Sequence, residues 1–205
     1  MKKIAVFIFL STFAFSCSNT NEKTNNENAA PGEQQEVKTD DKLPGADYNS
    51  LFTDFTCNMS VAEVAKVFGV PESDVSTPDY KKAEGCAFVI KGFGQNGLGD
   101  ETIVSWFLEK TTKAEVKKEI QNYQELEKTN SGLGMSIEKS ETGDTYLAKS
   151  PRYGRVIVLN ENYDNWLLIS YAPKFQYKTR TDEQHLALEA KSIALANYLL
   201  KKHEK

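Results

Sequence analysis

Three cysteines (Cys17, Cys57, Cys86) and two histidines (His185, His203) are a thin supply of nucleophiles, bases and metal ligands for 205 residues. No two cysteines form a C-x-x-C pair, and only the two histidines could join them around a metal. A Ser-His-Asp arrangement would need one of those histidines. His185 reads as a surface position beside Glu183 in the first turn of a helix, and His203 falls where the last helix should fray. No G-x-S-x-G marks a nucleophile elbow. Gly92-Phe-Gly-Gln-Asn-Gly97 spells G-x-G-x-x-G, but a dinucleotide fingerprint needs a helix directly after the glycines to receive the pyrophosphate. Here Asp100 and a strand pattern follow, so a hairpin loop accounts for them. Glu101, Glu109 and Glu161 have no spacing that singles out an acid–base pair, and "TDDK" and "ENYD" lack the ligand order of a calcium loop. The chain reads as non-enzymatic, with no cofactor and no metal.

Two segments depart from a background of 25 basic and 29 acidic residues. "SPRYGR" (150–155) precedes one strand pattern and "PKFQYKTR" (173–180) follows another. If those strands pair as a hairpin, its open end brings the segments together. Arg152, Arg155, Lys174, Lys178 and Arg180 would then meet phosphate or carboxylate groups, with Tyr153, Phe175 and Tyr177 as flat stacking faces. The competing reading leaves these arginines solvated, their stems covering the edge of the core. Net acidity argues against general affinity for nucleic acid.

The elements that would position these groups are well signed. Ser60-Val-Ala-Glu63, Thr112-Lys-Ala-Glu115 and Thr181-Asp-Glu-Gln184 are three capping boxes. Val61, Val64, Ala65 and Phe68 follow the first at helical spacing, and Gly69 with Pro71 ends that helix. Val116, Ile120 and Tyr123 follow the second. The third opens a long helix to about Lys202, with Leu186, Ala190, Ile193 and Leu200 as its expected buried face. "CAFVIKGF", "TIVSWFLEK", "GMSIEKS", "TYLAKS", "RVIVLN" and "NWLLISYA" read as strands, "ENYD" joining the last two. The second is apolar on both faces and therefore central. Tyr48, Leu51, Phe52 and Phe55 of "DYNSLFTDF" form a helical stripe expected to pack against the domain it introduces. The pattern predicts an α+β fold: an antiparallel sheet of about five or six strands with helices packed on it.

The first residues are of another kind. Lys2 and Lys3 precede an apolar run, Ile4 to Phe15, too short to span a bilayer and typical of a secretory leader. Ala14-Phe-Ser-Cys17 at its end resembles the lipobox of bacterial lipoproteins. That resemblance implies cleavage before Cys17, lipid on its sulfur and acylation of the new amino group. Each buried methylene adds about 0.8 kcal/mol of membrane affinity, so several acyl chains hold a domain durably. Ser18 rather than Asp after the cysteine implies the outer membrane. Residues 17–45 then form a lipidated cysteine and a polar tether with a root-mean-square span of about 30 Å. Residues 46–205 form a single domain. In an oxidising compartment Cys57 and Cys86 are an even pair, and a bridge closing their loop is worth about 3.5 kcal/mol in the chain-entropy model.

In outline the domain resembles the α/β/α arrangement of the PsbP-like families. Its cysteine-helix-cysteine-aromatic opening is similar to small secreted actinobacterial lipoproteins of unknown function. Both likenesses are of layout and carry no functional residue across. The expected function is that of a membrane-anchored envelope lipoprotein, a non-catalytic binding or accessory module for a protein partner or an anionic glycan. The alternative is a small-ligand carrier or hydrolase with a site assembled from scattered residues.

Overall fold

In the computed structural model, which describes residues 45–79, 85–94, 101–129, 132, 134–171 and 180–205, each capping box opens a helix. Four helices are present among these residues: α1 (Asn49–Phe52), α2 (Val61–Phe68), α3 (Lys113–Lys128) and α4 (Asp182–His203). At α2 the Ser60 hydroxyl accepts from the Glu63 N–H at 3.2 Å, and the Glu63 carboxylate accepts from the Ser60 N–H at 2.8 Å. Thr112 with Glu115 and Thr181 with Gln184 repeat the exchange. Each reciprocal pair satisfies amides that the first turn leaves without partners.

Seven strands build one antiparallel sheet, one or two more than the sequence predicts. They are β1 (Val75–Ser76), β2 (Cys86–Lys91), β3 (Glu101–Lys110), β4 (Ser136–Lys139), β5 (Tyr146–Ser150), β6 (Arg155–Leu159) and β7 (Asn165–Ser170), in the order β1-β2-β3-β7-β6-β5-β4. The extra strand is β1, whose two residues are too short to show alternation. From β3 the chain crosses through α3 to the far edge, and β4 to β7 meander back until β7 lies against β3.

The helices cover the two faces unequally. Val64, Ala65 and Phe68 of α2 and Leu188, Leu195, Ala196, Leu199 and Leu200 of α4 meet Val104, Trp106, Val156, Val158, Leu167 and Ile169 of the sheet in one large core. Trp106, fully buried there, stacks on Phe88 with ring centroids 5.5 Å apart. On the opposite face α3 lays Val116, Ile120 and Tyr123 over Ile137, Ala148, Ile157 and Leu159. The stripe before Cys57 packs inward: Tyr48, Leu51 and Phe52 are fully buried in the main core, and Phe55 is partly buried against it.

The Cys57–Cys86 disulfide is present, with Cα atoms 5.2 Å apart, and ties the segment before α2 to the start of β2. Cys17 and the rest of residues 1–44 lie outside the described residues. Two readings of α4 need correction. Its buried face runs His185, Leu188, Ser192, Leu195, Ala196, Leu199, Leu200 and His203, whereas Leu186 and Ala190 point to solvent and Ile193 is only partly covered. The expected stripe was displaced by about one residue, or about 100° around the helix. His185 and His203 are accordingly buried rather than superficial or frayed. His203 Nδ1 lies 2.9 Å from Ser50 Oγ, and paired backbone hydrogen bonds between Asp47 and Lys205 hold the helix end.

Candidate functional site

The segment 150–155 forms a tight corner between β5 and β6. Pro151–Tyr153 makes one 3₁₀ turn, and Gly154 closes it at φ 61, a left-handed conformation that an L side chain resists. The Gly154 carbonyl accepts from the Tyr171 N–H at 2.8 Å, which fastens the corner to the end of β7. Arg152 is exposed, Tyr153 is 40 % exposed, and Arg155 is half-buried at the start of β6. The Arg155 guanidinium stands 5.1 Å from the centroid of the Tyr153 ring. Lys174, Phe175, Tyr177 and Lys178 lie outside the described residues.

Arg180 does not belong to an exposed cluster. It is 3 % exposed and donates to the Tyr171 carbonyl at 3.2 Å and to Thr102 Oγ1 at 3.3 Å. Thr102 Oγ1 in turn donates to the Gly94 carbonyl at 2.6 Å. This arginine joins the ends of β3 and β7 to the segment after β2. The arrangement also explains Gly94: at φ +76 its backbone runs so close to α4 that a Cβ would stand 2.6 Å from Gln184 Oε1. The element after Gly92 and Gly94 is β3, a strand rather than the helix a dinucleotide site requires.

The two remaining arginines look to opposite faces of the sheet. Arg152 lines an open pocket of about 360 Å³ with Pro151, Asp182, His185 and Leu186, at the start of α4. His185 forms its floor, with Nε2 2.8 Å from the Pro151 carbonyl oxygen and its ring 5.4 Å from that of Tyr171. Burial raises the Tyr171 hydroxyl above its ordinary pKa, and the Glu189 carboxylate that accepts from it reinforces the shift. Leu186, 61 % exposed, forms the rim. Leu186 and Tyr153 are the two exposed large hydrophobic residues among those described, and both flank this corner. Arg155 belongs instead to the α3 face. There burial raises the pKa of Tyr123, against the opposing effects of its hydrogen bond with Ser150 Oγ and of the Arg155 charge.

Other concave regions gather less chemistry. A groove of about 980 Å³ beside the disulfide is lined by Thr53–Cys57, Gly85, Phe107–Lys110 and Asn165. Glu101 and Glu109 stand at opposite ends of β3, and Glu109 accepts from the Trp166 indole at 2.9 Å. Ser50 and His203 form a Ser–His contact, but the imidazole's Nε2 is buried without a hydrogen-bond partner, so no third group orients the base. No group of three or more His, Cys, Asp or Glu side chains suited to a metal occurs among the described residues. No helix among them is long and apolar enough to cross a membrane.

Sequence reasoning found the 150–155 corner but missed two of its features. Leu186 was assigned to the buried face of α4, and the burial of Arg180 left no local trace in a basic run. No protein-family model, curated protein or solved structure matches the chain.

Proposed function

We propose that the chain is a lipoprotein of the bacterial cell envelope, anchored through acylated Cys17, whose domain is a non-catalytic binding or accessory module. Its recognition surface is the corner at Arg152, Tyr153 and Arg155 together with Leu186, and its partner is an envelope protein or an anionic glycan. One observation carries this reading. The two exposed large hydrophobic residues among those described flank the same corner as two arginines that no carboxylate pairs with among those residues. Exposed aromatic and aliphatic side chains beside unpaired arginines have the composition of a binding hot spot. The lipobox-like run ending at Cys17 supports the anchor, and the outer membrane is the expected destination.

The test is metabolic labelling with an alkyne fatty acid followed by in-cell crosslinking capture. Wild type should take up the label and Cys17→Ala should not. Arg152→Glu combined with Arg155→Glu should abolish capture without lowering the melting temperature. Undiminished capture by that double variant would remove the surface from consideration. Arg180 is left intact because reversing a buried charge would unfold the domain.

A further inference from the structure

β3 has a second neighbour along only part of its length. Residues 107–110 pair with residues 165–168 of β7, whereas β2 reaches no further than Cys86, opposite Trp106. Gly85, just before β2, has φ +99, a backbone that does not continue a strand. One hydrogen bond fixes which way the remaining groups point. The Thr111 N–H donates to the Asp164 carbonyl at 2.9 Å, and in an antiparallel ladder hydrogen-bonded pairs recur at every second residue. Phe107 and Glu109 therefore address β7, and Leu108 and Lys110 turn their N–H and C=O groups the other way. On that side neither residue has a backbone hydrogen bond among the described residues. Leu108 and Lys110 also line the groove of about 980 Å³, together with residues 53–57, which the Cys57–Cys86 bridge ties to the start of β2.

A strand edge with open donors and acceptors is a template for another strand. Here those groups repeat every second residue, a spacing that extended polypeptide matches. We infer that the groove takes an extended segment of a partner polypeptide as an added strand, antiparallel to β3 and in line with β2, with an acidic residue opposite Lys110 and an apolar one opposite Leu108. The backbone of those two partner residues exchanges hydrogen bonds with Leu108 and Lys110, and the side chains supply selectivity. Lys110 is exposed and makes no ion pair among the described residues, so a facing carboxylate is the matched charge. Glu109 is already taken by the Trp166 indole, and Asp54 also lines the groove, so one acidic residue fits better than an acidic run. Leu108 and Phe55, both partly buried at the margin of the main core, receive the apolar residue. This surface is separate from the Arg152 corner. The corner is fastened to Tyr171, just beyond the end of β7, whereas the groove meets β7 at Asn165, its first residue.

The experiment follows amide exchange and peptide binding in the detergent-solubilised full chain. The probe is acetyl-Thr-Glu-Thr-Val-Thr-amide, whose glutamate falls opposite Lys110 and whose valine falls opposite Leu108. Without peptide, the Leu108 and Lys110 amides should exchange at least about tenfold faster than those of Phe107 and Glu109, and the peptide should slow them. N-methylation of the glutamate or the valine, whose N–H groups face β3, should weaken binding about tenfold or more. N-methylation of the threonine between them, whose N–H points away, should change binding by less than about threefold. Lys110→Glu should weaken binding about fivefold, and a peptide carrying lysine in place of glutamate should restore it. Slow exchange at Leu108 and Lys110 without peptide would mean that the chain itself fills the groove, and would overturn the inference. Absence of binding at millimolar peptide, or equal losses from N-methylation at all three positions, would overturn it too.

Discussion

On the face carrying α1, α2 and α4, neighbouring strands contribute Phe88, Trp106, Ile169, Val156 and Leu147 to a single core, all buried. On the α3 face the equivalent positions read Ala87, Ser105, Ser170, Arg155 and Ser150 in one row and turn apolar only beneath the helix. The same strands therefore serve a structural task on one side and leave polar groups available on the other. Arginines divide the same way. Arg180 is enclosed and hydrogen-bonded to a carbonyl and a hydroxyl, whereas Arg155 meets only an aromatic face among the described residues. Burial accompanies pairing at Arg180, and partial exposure accompanies its absence at Arg155 among the described residues.

The sharpest way to break this comparison uses neighbours on the central strand. Ile169 is fully buried against the main core, and Leu168 faces α3 and stays partly exposed. Ile169→Ala should cost about 2–5 kcal/mol in urea unfolding and Leu168→Ala about half of that. Equal losses would mean that α3 seals its face as fully as α4 does. A smaller effect is expected from the arginines. Arg180→Met should cost about 1.5–3 kcal/mol, through the loss of charge-assisted hydrogen bonds. Arg155→Met should change stability by less than about 0.5 kcal/mol, because it removes no hydrogen bond or ion pair with the described residues. Comparable losses would make Arg155 a structural residue.

The gentlest test uses pH. Burial, followed by the charges of Lys202 and Lys205, lowers the pKa of His203 below its ordinary 6.5. A depressed histidine pKa favours the neutral ring in the folded protein, so the unfolded chain binds more protons below pH 6.5. Stability should be complete above that value and decline as pH falls below it, and thermal melts of His203→Gln should lose the dependence in that window. An unchanged profile would show that this ring is not buried as neutral imidazole.

What was legible in the sequence was local. Capping boxes act over three residues, so Ser60, Thr112 and Thr181 announced their helices, and runs of β-branched and aromatic residues announced every strand but the two-residue β1. The buried stripe of α4 was hidden because Ser192, Asn197, His185 and His203 sit on it among the leucines, while Leu186 and Ala190 offered an apolar stripe one residue away. The tertiary partners of those polar residues decide the face; Asn197, for one, accepts from the Glu141 N–H. The Ser105–Ser170–Arg155–Ser150 row was beyond reach for a similar reason. It exists only because β7 returns to pair with β3 after α3 and three intervening strands, and no local signal encodes that pairing.

The Cys57–Cys86 bridge bears on how the domain carries tension. A pull arriving through residue 45 would first strain the Ala46–Asp144 contact and the paired Asp47–Lys205 amides, then peel α1 away from its core. Peeling stops at Cys57, where a covalent link hands the force to the first residue of β2. From there tension must act on a strand that six register pairs hold to β3. The bridge thus divides the domain into a short extensible lead and a mechanically resistant body, with the Arg155 corner on the resistant side.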